Sequence, residues 1–140
     1  MTSDETDAAR VTGSPQKREA RSALVLFAHG SRDPRWAEPF RAIQRKVSAR
    51  KPQVTVELAF LELMEPKLAE AVDRLTAAGH TRVTIAPLFM AEGAHLRRDL
   101  AALMATLHAR HSAVELKLLP AAGEVDAVLD AISTWAASSL

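Results

Sequence analysis

Three side chains in this sequence have the types and placement for chemistry: His29, Glu62 and His95. His29 lies in AHGSRDP, residues 28–34, directly after the apolar stretch Ala23–Phe27. Glu62 follows the run VTVELAFL, residues 54–61. His95 comes six residues after Phe89, the end of RVTIAPLF, residues 82–89. Two neutral imidazoles with a carboxylate suit a borderline divalent ion such as Co2+, Fe2+, Ni2+ or Zn2+. Glu62 could instead take protons from a bound ligand. Each residue also has a plainer role open to it. His29 can bond backbone in a turn, His95 can simply open a helix, and Glu62, between Leu61 and Leu63, can turn to water.

Other chemistries find no support. The phosphate-cradling patterns GxxxxGK[ST] and GxGxxG are missing, and Gly30-Ser31 does not continue into a GxSxG nucleophile elbow. The chain has no cysteine, which excludes thiolate zinc sites, iron–sulfur clusters, disulfides and a cysteine nucleophile. His80, after Gly79, reads as a solvated turn residue. His108 and His111 read as surface residues near a helix C-terminus, where the dipole favours a cation. Glu65 reads as a helix-start carboxylate and Glu92 as a loop charge. Arg97 and Arg98 read as an exposed helix face, and Met64 and Met90 as packing residues.

The elements that position the three residues alternate between strand and helix. Strands are expected at 23–28, 54–61, 82–89 and 114–119. Helices are expected at 34–50, 66–78, 95–110 and 124–137. Pro34 suits a first helical turn with Asp33 as its cap, and Pro52 and Gly79 end the first two helices. Trp36, Phe40, Ile43 and Val47 form one inner face; Leu68, Val72 and Leu75 the next; Leu96, Leu100, Leu103 and Leu107 the third. The last helix is expected to bury Val125, Val128, Leu129, Ile132 and Trp135. Four βα units imply right-handed crossovers and a four-stranded parallel sheet in order 2-1-3-4 with helices on both faces, a three-layer α/β domain. The switch point then falls between strands 1 and 3, so the loops carrying His29 and His95 lie side by side where such sheets bind ligands.

Composition fits one domain of 140 residues, 48% hydrophobic, with a net charge of +1. Near-neutrality gives no reason to expect bulk binding to nucleic acid or a membrane surface. Residues 1–22 read as a disordered N-terminal tail with room for a helical turn at 16–22, and residues 23–140 as the α/β domain. The acidic start MTSDETDAAR lacks the apolar core of a secretory signal, and no run approaches a membrane span, so a cytoplasmic location is expected.

The runs LFAHGSRDP, AFLELMEPKL and VTIAPLFMAEGAHLRRDL resemble the small CbiX-type sirohydrochlorin chelatases, the short class II chelatases. Three motifs agree in order and spacing over about residues 23–135: H-G-S-R, F-x-E-x-x-x-P and P-x-F-x-x-x-G-x-H-x-x-x-D-L. The sequence departs from the pattern at Met90, where leucine is common, and at Ala101, where proline is expected. The resemblance implies a chelatase-like or flavodoxin-like fold and insertion of a divalent metal into sirohydrochlorin, in cobalamin or sirohaem biosynthesis. Cobalt is the first expectation, with Fe2+ or Ni2+ as alternatives. It implies His29 and His95 as metal ligands and catalytic groups, with Glu62 assisting. Ser31 and Arg32, then Arg97, with Arg35 and Arg98 behind them, are candidates for the substrate carboxylates. The metal would be substrate, with no organic cofactor and no iron–sulfur cluster. Long-chain relatives resemble two such units side by side, so a homodimer with a shared site is expected. The alternative is a metal- or tetrapyrrole-binding module of flavodoxin-like fold without turnover.

Overall fold

A computed structural model describes residues 14–140. Four strands form one parallel sheet: β1 (Ser22–Ala28), β2 (Thr55–Phe60), β3 (Arg82–Pro87) and β4 (Glu115–Leu118). Their order is β2-β1-β3-β4, as the βα alternation predicts. Among the described residues five α-helices lie around the sheet: α1 (Pro15–Ala20), α2 (Glu38–Arg50), α3 (Leu68–Ala77), α4 (Ala94–Arg110) and α5 (Asp126–Ala137). Within the segment expected to be a tail, the helical turn allowed at 16–22 is α1, Pro15–Ala20, and Ser22 belongs to β1. Residues 1–13 lie outside the described residues.

Strand alternation decides where the core sits. Val83 and Ile85 of β3 pair with Leu116 and Leu118 of β4 on one face. That face packs on α3 and α4, which contribute Leu68, Val72, Leu75, Leu100, Met104 and Leu107. Phe27 and Phe89 meet edge to face there, ring centroids 5.5 Å apart. Leu68, Val72 and Leu107 are fully buried, each stabilising the fold by roughly 1.5–3 kcal/mol through apolar burial. The opposite face has a smaller cluster of Ala28, Ala37 and Phe60, with Trp36, Phe40, Leu58 and Met64 packed against it.

Two helices differ from expectation. The helix expected from Pro34 begins as a 3-10 turn, Pro34–Ala37, capped by the Asp33 carboxylate, and becomes α-helical only at Glu38. Pro39 explains the change. It has no N–H to donate to the Arg35 carbonyl four residues back, and the Glu38 N–H bonds that carbonyl three residues back instead. The inner face of α2 is only half-buried, and Ile43 is exposed. The larger correction concerns α5, which buries none of its residues; Leu129, Ile132 and Trp135 are exposed. The sheet surface available to it over β3 and β4 is polar, with Arg82 Nε paired to Glu115 Oε2 at 3.0 Å and Thr84 and Lys117 beside them.

Two histidines also have structural rather than surface roles. His80 Nδ1–H donates to the Leu75 carbonyl (3.0 Å), and its Nε2 meets Thr55 Oγ1 (3.0 Å), joining the end of α3 to β2. His111 Nε2–H donates to Asp73 Oδ1 at 2.6 Å beside an Arg110–Asp73 pair at 2.9 Å, fastening α4 to α3.

Candidate active site

The β1–β2 ladder does not stop at the strand ends. Ala28 pairs with Phe60, then the Leu61 N–H donates to the Ala28 carbonyl (2.9 Å) and the Glu62 N–H to the His29 carbonyl (3.0 Å). This extension brings His29 and Glu62, 33 residues apart in sequence, side by side at the carboxyl edge of the sheet. Gly30 makes the approach possible. Its φ is +99°, and a Cβ there would overlap the Glu62 carbonyl oxygen, so any other residue would push the two loops apart.

Beyond Glu62 the chain reverses in a three-residue turn. The Met64 N–H donates to the Glu62 carbonyl at 2.8 Å, with Leu63 at φ +66° between them. A leucine in that region is costly, by about 1–3 kcal/mol, and such outliers cluster at functional sites. The turn and Gly30 thus both fix the Glu62 carbonyl. Between these restraints the His29 Nε2–H donates to Glu62 Oε1 at 2.9 Å, with the two side chains 52% and 55% exposed. Bonding Nε2 to the carboxylate leaves Nδ1 as the ring nitrogen with a free lone pair.

His95 arrives from the neighbouring strand. The Leu88 N–H donates to the Phe27 carbonyl (2.8 Å), so β3 exits beside β1. A loop leads to Gly93, the N-cap of α4, and His95 is the second residue of that helix, exposed. All three residues therefore stand on loops or helix starts at one sheet edge. The structure joins His29 to Glu62 by a hydrogen bond, but among the described residues it gives His95 no such link. Among the described residues no three His, Cys, Asp or Glu side chains close around a single metal position.

The candidate carboxylate-binding residues divide. Ser31 Oγ accepts the Asp33 N–H (3.1 Å) and shapes the turn before α2. Arg35 is paired with Asp33 at 3.3 Å. Arg32 and Arg98 are exposed and have no ion pair among the described residues. Arg97 is engaged within the chain: its Nη2 meets Glu124 Oε1 at 3.1 Å, and its Nε lies 3.8 Å from Glu92 Oε2. That network ties the start of α4 to the 3-10 turn Ala122–Glu124. Sequence reading missed it because Arg97 and Glu124 are 27 residues apart, with no local pattern to pair them. It missed the Leu63 turn too, since leucine is not a residue that signals positive φ.

A separate open cleft of about 780 Å³ on α3 is lined by Glu65, Pro66, Glu70, Asp73 and Arg74, and contains none of the candidate residues. The His29–Glu62 pair lies instead at the carboxyl edge of the sheet, both side chains about half exposed.

A parallel α/β sheet with a histidine–carboxylate pair across the carboxyl ends of β1 and β2, beside the switch point between β1 and β3, defines a class of ligand-binding domain. The CbiX family model matches residues 23–138, and the chain belongs to that family. The sirohydrochlorin cobaltochelatase of Methanocaldococcus jannaschii is 35% identical over 89 residues, covering 64% of this chain and 62% of that one. The Methanopyrus kandleri protein of the same name is 37% identical over 78 residues, covering 56% and 54%. The matches thus span a little over half the length of these relatives. The structure of a CbiX protein from Marinobacter aquaeolei VT8 superposes with a TM-score of 0.73 at 32% identity, over 84% of this chain and 96% of that one. SirB from Bacillus subtilis, solved with Fe3+, shares the fold at a TM-score of 0.67 and 23% identity, over 81% of this chain but 45% of SirB.

Proposed function

We propose that this protein is a sirohydrochlorin chelatase that inserts a divalent metal, Co2+ first among the candidates, into the tetrapyrrole. The observation that carries the reading is the His29–Glu62 pair, 2.9 Å apart, on an open sheet edge in a chain of the CbiX family. The named activity of the matched relatives supports it.

Insertion replaces two pyrrole N–H protons with one M2+ ion, so two protons must leave the ring as the metal enters. His29 has the free lone pair on Nδ1 and a carboxylate behind Nε2. A proton taken at Nδ1 gives an imidazolium that Glu62 stabilises and from which it can accept the Nε2 proton. His29 and His95 are assigned as the metal ligands, each replacing a water of hydration; His29 holds the ion through Nδ1 first and takes a ring proton there only after the ion has passed to the ring nitrogens. The metal is a substrate and has to be handed on. A set of two imidazoles, short of a closed cage, suits delivery better than storage. Ser31 and Arg32 are assigned to the substrate carboxylates. Arg97 contributes there less directly, because Glu124 and Glu92 already engage it.

Imidazole and carboxylate donors do not select cobalt over iron or nickel; affinity follows the general divalent series, and supply decides. A sirohaem ferrochelatase is thus the same site serving another pathway. The proposal includes a second copy: the chain covers 45% of SirB, and a homodimer would provide a second unit over the open edge. No helix among the described residues is long and apolar enough to cross a membrane, and a cytoplasmic location belongs to the same proposal.

The test is an absorbance assay of purified protein with sirohydrochlorin and Co2+, Fe2+ or Ni2+ in turn. Wild type is expected to metallate faster than the buffer blank with at least one ion. His29→Ala and His95→Ala should each lose about 100-fold or more, within the range for removing an acid–base group. Binding of ion and ring without acceleration would instead identify a carrier module.

A further inference from the structure

The loop that carries Glu62 closes on itself, and Lys67 is the residue that closes it. The Phe60 N–H donates to the Pro66 carbonyl at 2.9 Å, and Phe60 and Lys67 form a parallel bridge beyond the end of β2. The two ends of segment 61–66 are thereby held together. The Lys67 carbonyl in turn accepts the Ala71 N–H at 3.1 Å, so Lys67 is also the N-cap of α3. Its backbone is fixed by a strand on one side and a helix on the other.

From that base the side chain reaches back across the loop. The Lys67 ammonium donates to the Met64 carbonyl at 3.0 Å and to Glu65 Oε1 at 2.8 Å. Its stem lines an apolar cavity of about 260 Å³ with Phe27, Phe60, Leu61, Leu68 and Leu103. The hydrocarbon is packed there while the side chain keeps partial contact with water. Met64 is consequently held at three points. Its carbonyl accepts from Lys67, its N–H donates to the Glu62 carbonyl at 2.8 Å, and its side chain packs on Ala28, Ala37 and Phe60. Both hydrogen bonds of the ammonium stay within the loop, which suits a group that holds the loop rather than one that receives a substrate.

We propose that Lys67 is a positioning residue: through the Met64 carbonyl it fixes the turn at Leu63 and so sets the Glu62 carboxylate against His29. The inference rests on the proton-accepting role proposed for that pair and adds the group that aims it. Two restraints on Glu62 come from the β1 side. Its N–H donates to the His29 carbonyl at 3.0 Å, and Gly30 lies against its carbonyl. The third is the turn, and a leucine at φ +66° does not favour that turn by itself. The bond from Lys67 supplies the hold from the α3 side. A reacting group misplaced by about 1 Å loses much of its effect. Because Lys67 acts through Glu62, removing it can cost no more than removing the carboxylate.

Lys67→Met keeps the stem and removes the donors. The experiment measures kcat and KM for sirohydrochlorin metallation by the full chain as wild type, Lys67→Met, Glu62→Gln and the two combined. Lys67→Met should lower kcat about tenfold, inside the loss of about 100-fold expected for Glu62→Gln, with little change in KM. Added to Glu62→Gln it should cost little more. An unchanged kcat, or a loss that multiplies with that of Glu62→Gln, would overturn the proposal. A raised KM at wild-type kcat would overturn it too, by making Lys67 a substrate-binding group. Glu65→Gln removes the other partner of the ammonium and should keep the wild-type rate; a loss equal to that of Lys67→Met would overturn the role of the Met64 carbonyl. Amide hydrogen exchange reads the same turn without substrate. The Met64 N–H should exchange about tenfold faster in Lys67→Met while the amides of β1 keep their wild-type rates. Unchanged exchange at Met64, or acceleration shared with β1, would overturn the proposal, the second by showing a general loss of stability. A wild-type protein that does not metallate would overturn the chelatase reading, and the exchange rates would then decide the hold on the turn by themselves.

Discussion

At the scale of single residues, the site depends on close approaches more than on charge. Gly30 has both a positive φ and a carbonyl oxygen where its Cβ would be. Gly30→Ala should destabilise the protein by about 3 kcal/mol, near the upper end for point substitutions, and lower metallation as Glu62 is displaced from His29. Urea melts paired with the absorbance assay check both. Leu63 offers the opposite test. Its φ of +66° suits glycine, so Leu63→Gly should relieve backbone strain and leave global stability unchanged or slightly improved. If the strained turn fixes the Glu62 backbone, activity should nevertheless fall. That His29, Glu62 and His95 reach one sheet edge was legible because each follows a strand-like run in a parallel sheet; which two of them would touch was not, since that depends on the β1–β2 ladder running on past the strand ends. The turn at Leu63 was not legible, since it arises from the reversal that packs β2's exit against Lys67 and Pro66, a tertiary demand.

At the scale of elements, burial separates the helices that hold the fold from the one that does not. Leu107 is fully buried on α4, and Leu107→Ala should cost about 2–5 kcal/mol. Trp135→Ala, on the exposed face of α5, should change the stability of an isolated protomer by about 0.5 kcal/mol or less. Denaturant midpoints at dilute concentration compare them. The Asp73 clamp between α3 and α4 gives a pH signature. Desolvation raises its carboxyl, but hydrogen bonds from His111 and Arg110 and the charge of Arg110 outweigh that, and the net effect lowers its pKa below 3.8. A depressed pKa contributes stability above the unfolded value that is lost as pH falls through the folded one. Wild type should therefore lose more stability than Asp73→Asn on acidification from about pH 5 to pH 2, and parallel curves would contradict the clamp. Strand order and the α3 and α4 core were readable from period and βα alternation. The stripe of α5 was equally readable, but periodicity states that a face is apolar, not which surface covers it. The polar outer side of β3 and β4 rules out the covering that a one-chain reading assumes.

At the scale of the whole molecule, a four-stranded scaffold gathers the candidate residues His29, Glu62 and His95 at one edge. In the proposed function that edge receives the tetrapyrrole, and the proposed second copy would shield it from water during metal insertion. Catalysis by such an assembly should depend on protein concentration: specific activity should fall on dilution through the dissociation constant and recover on concentrating. Specific activity that is constant across that range would place the complete reaction within one protomer.

The central claim is that His29 and Glu62 act as one proton-accepting unit during metal insertion. It is tested most directly by a double-mutant cycle in kcat/KM for sirohydrochlorin metallation, using His29→Ala, Glu62→Gln and the two combined. Groups acting as a unit give strongly non-additive losses. Each single variant should lose about 100-fold and the double variant little more than either. Losses that multiply, or single variants with wild-type rates, would contradict it.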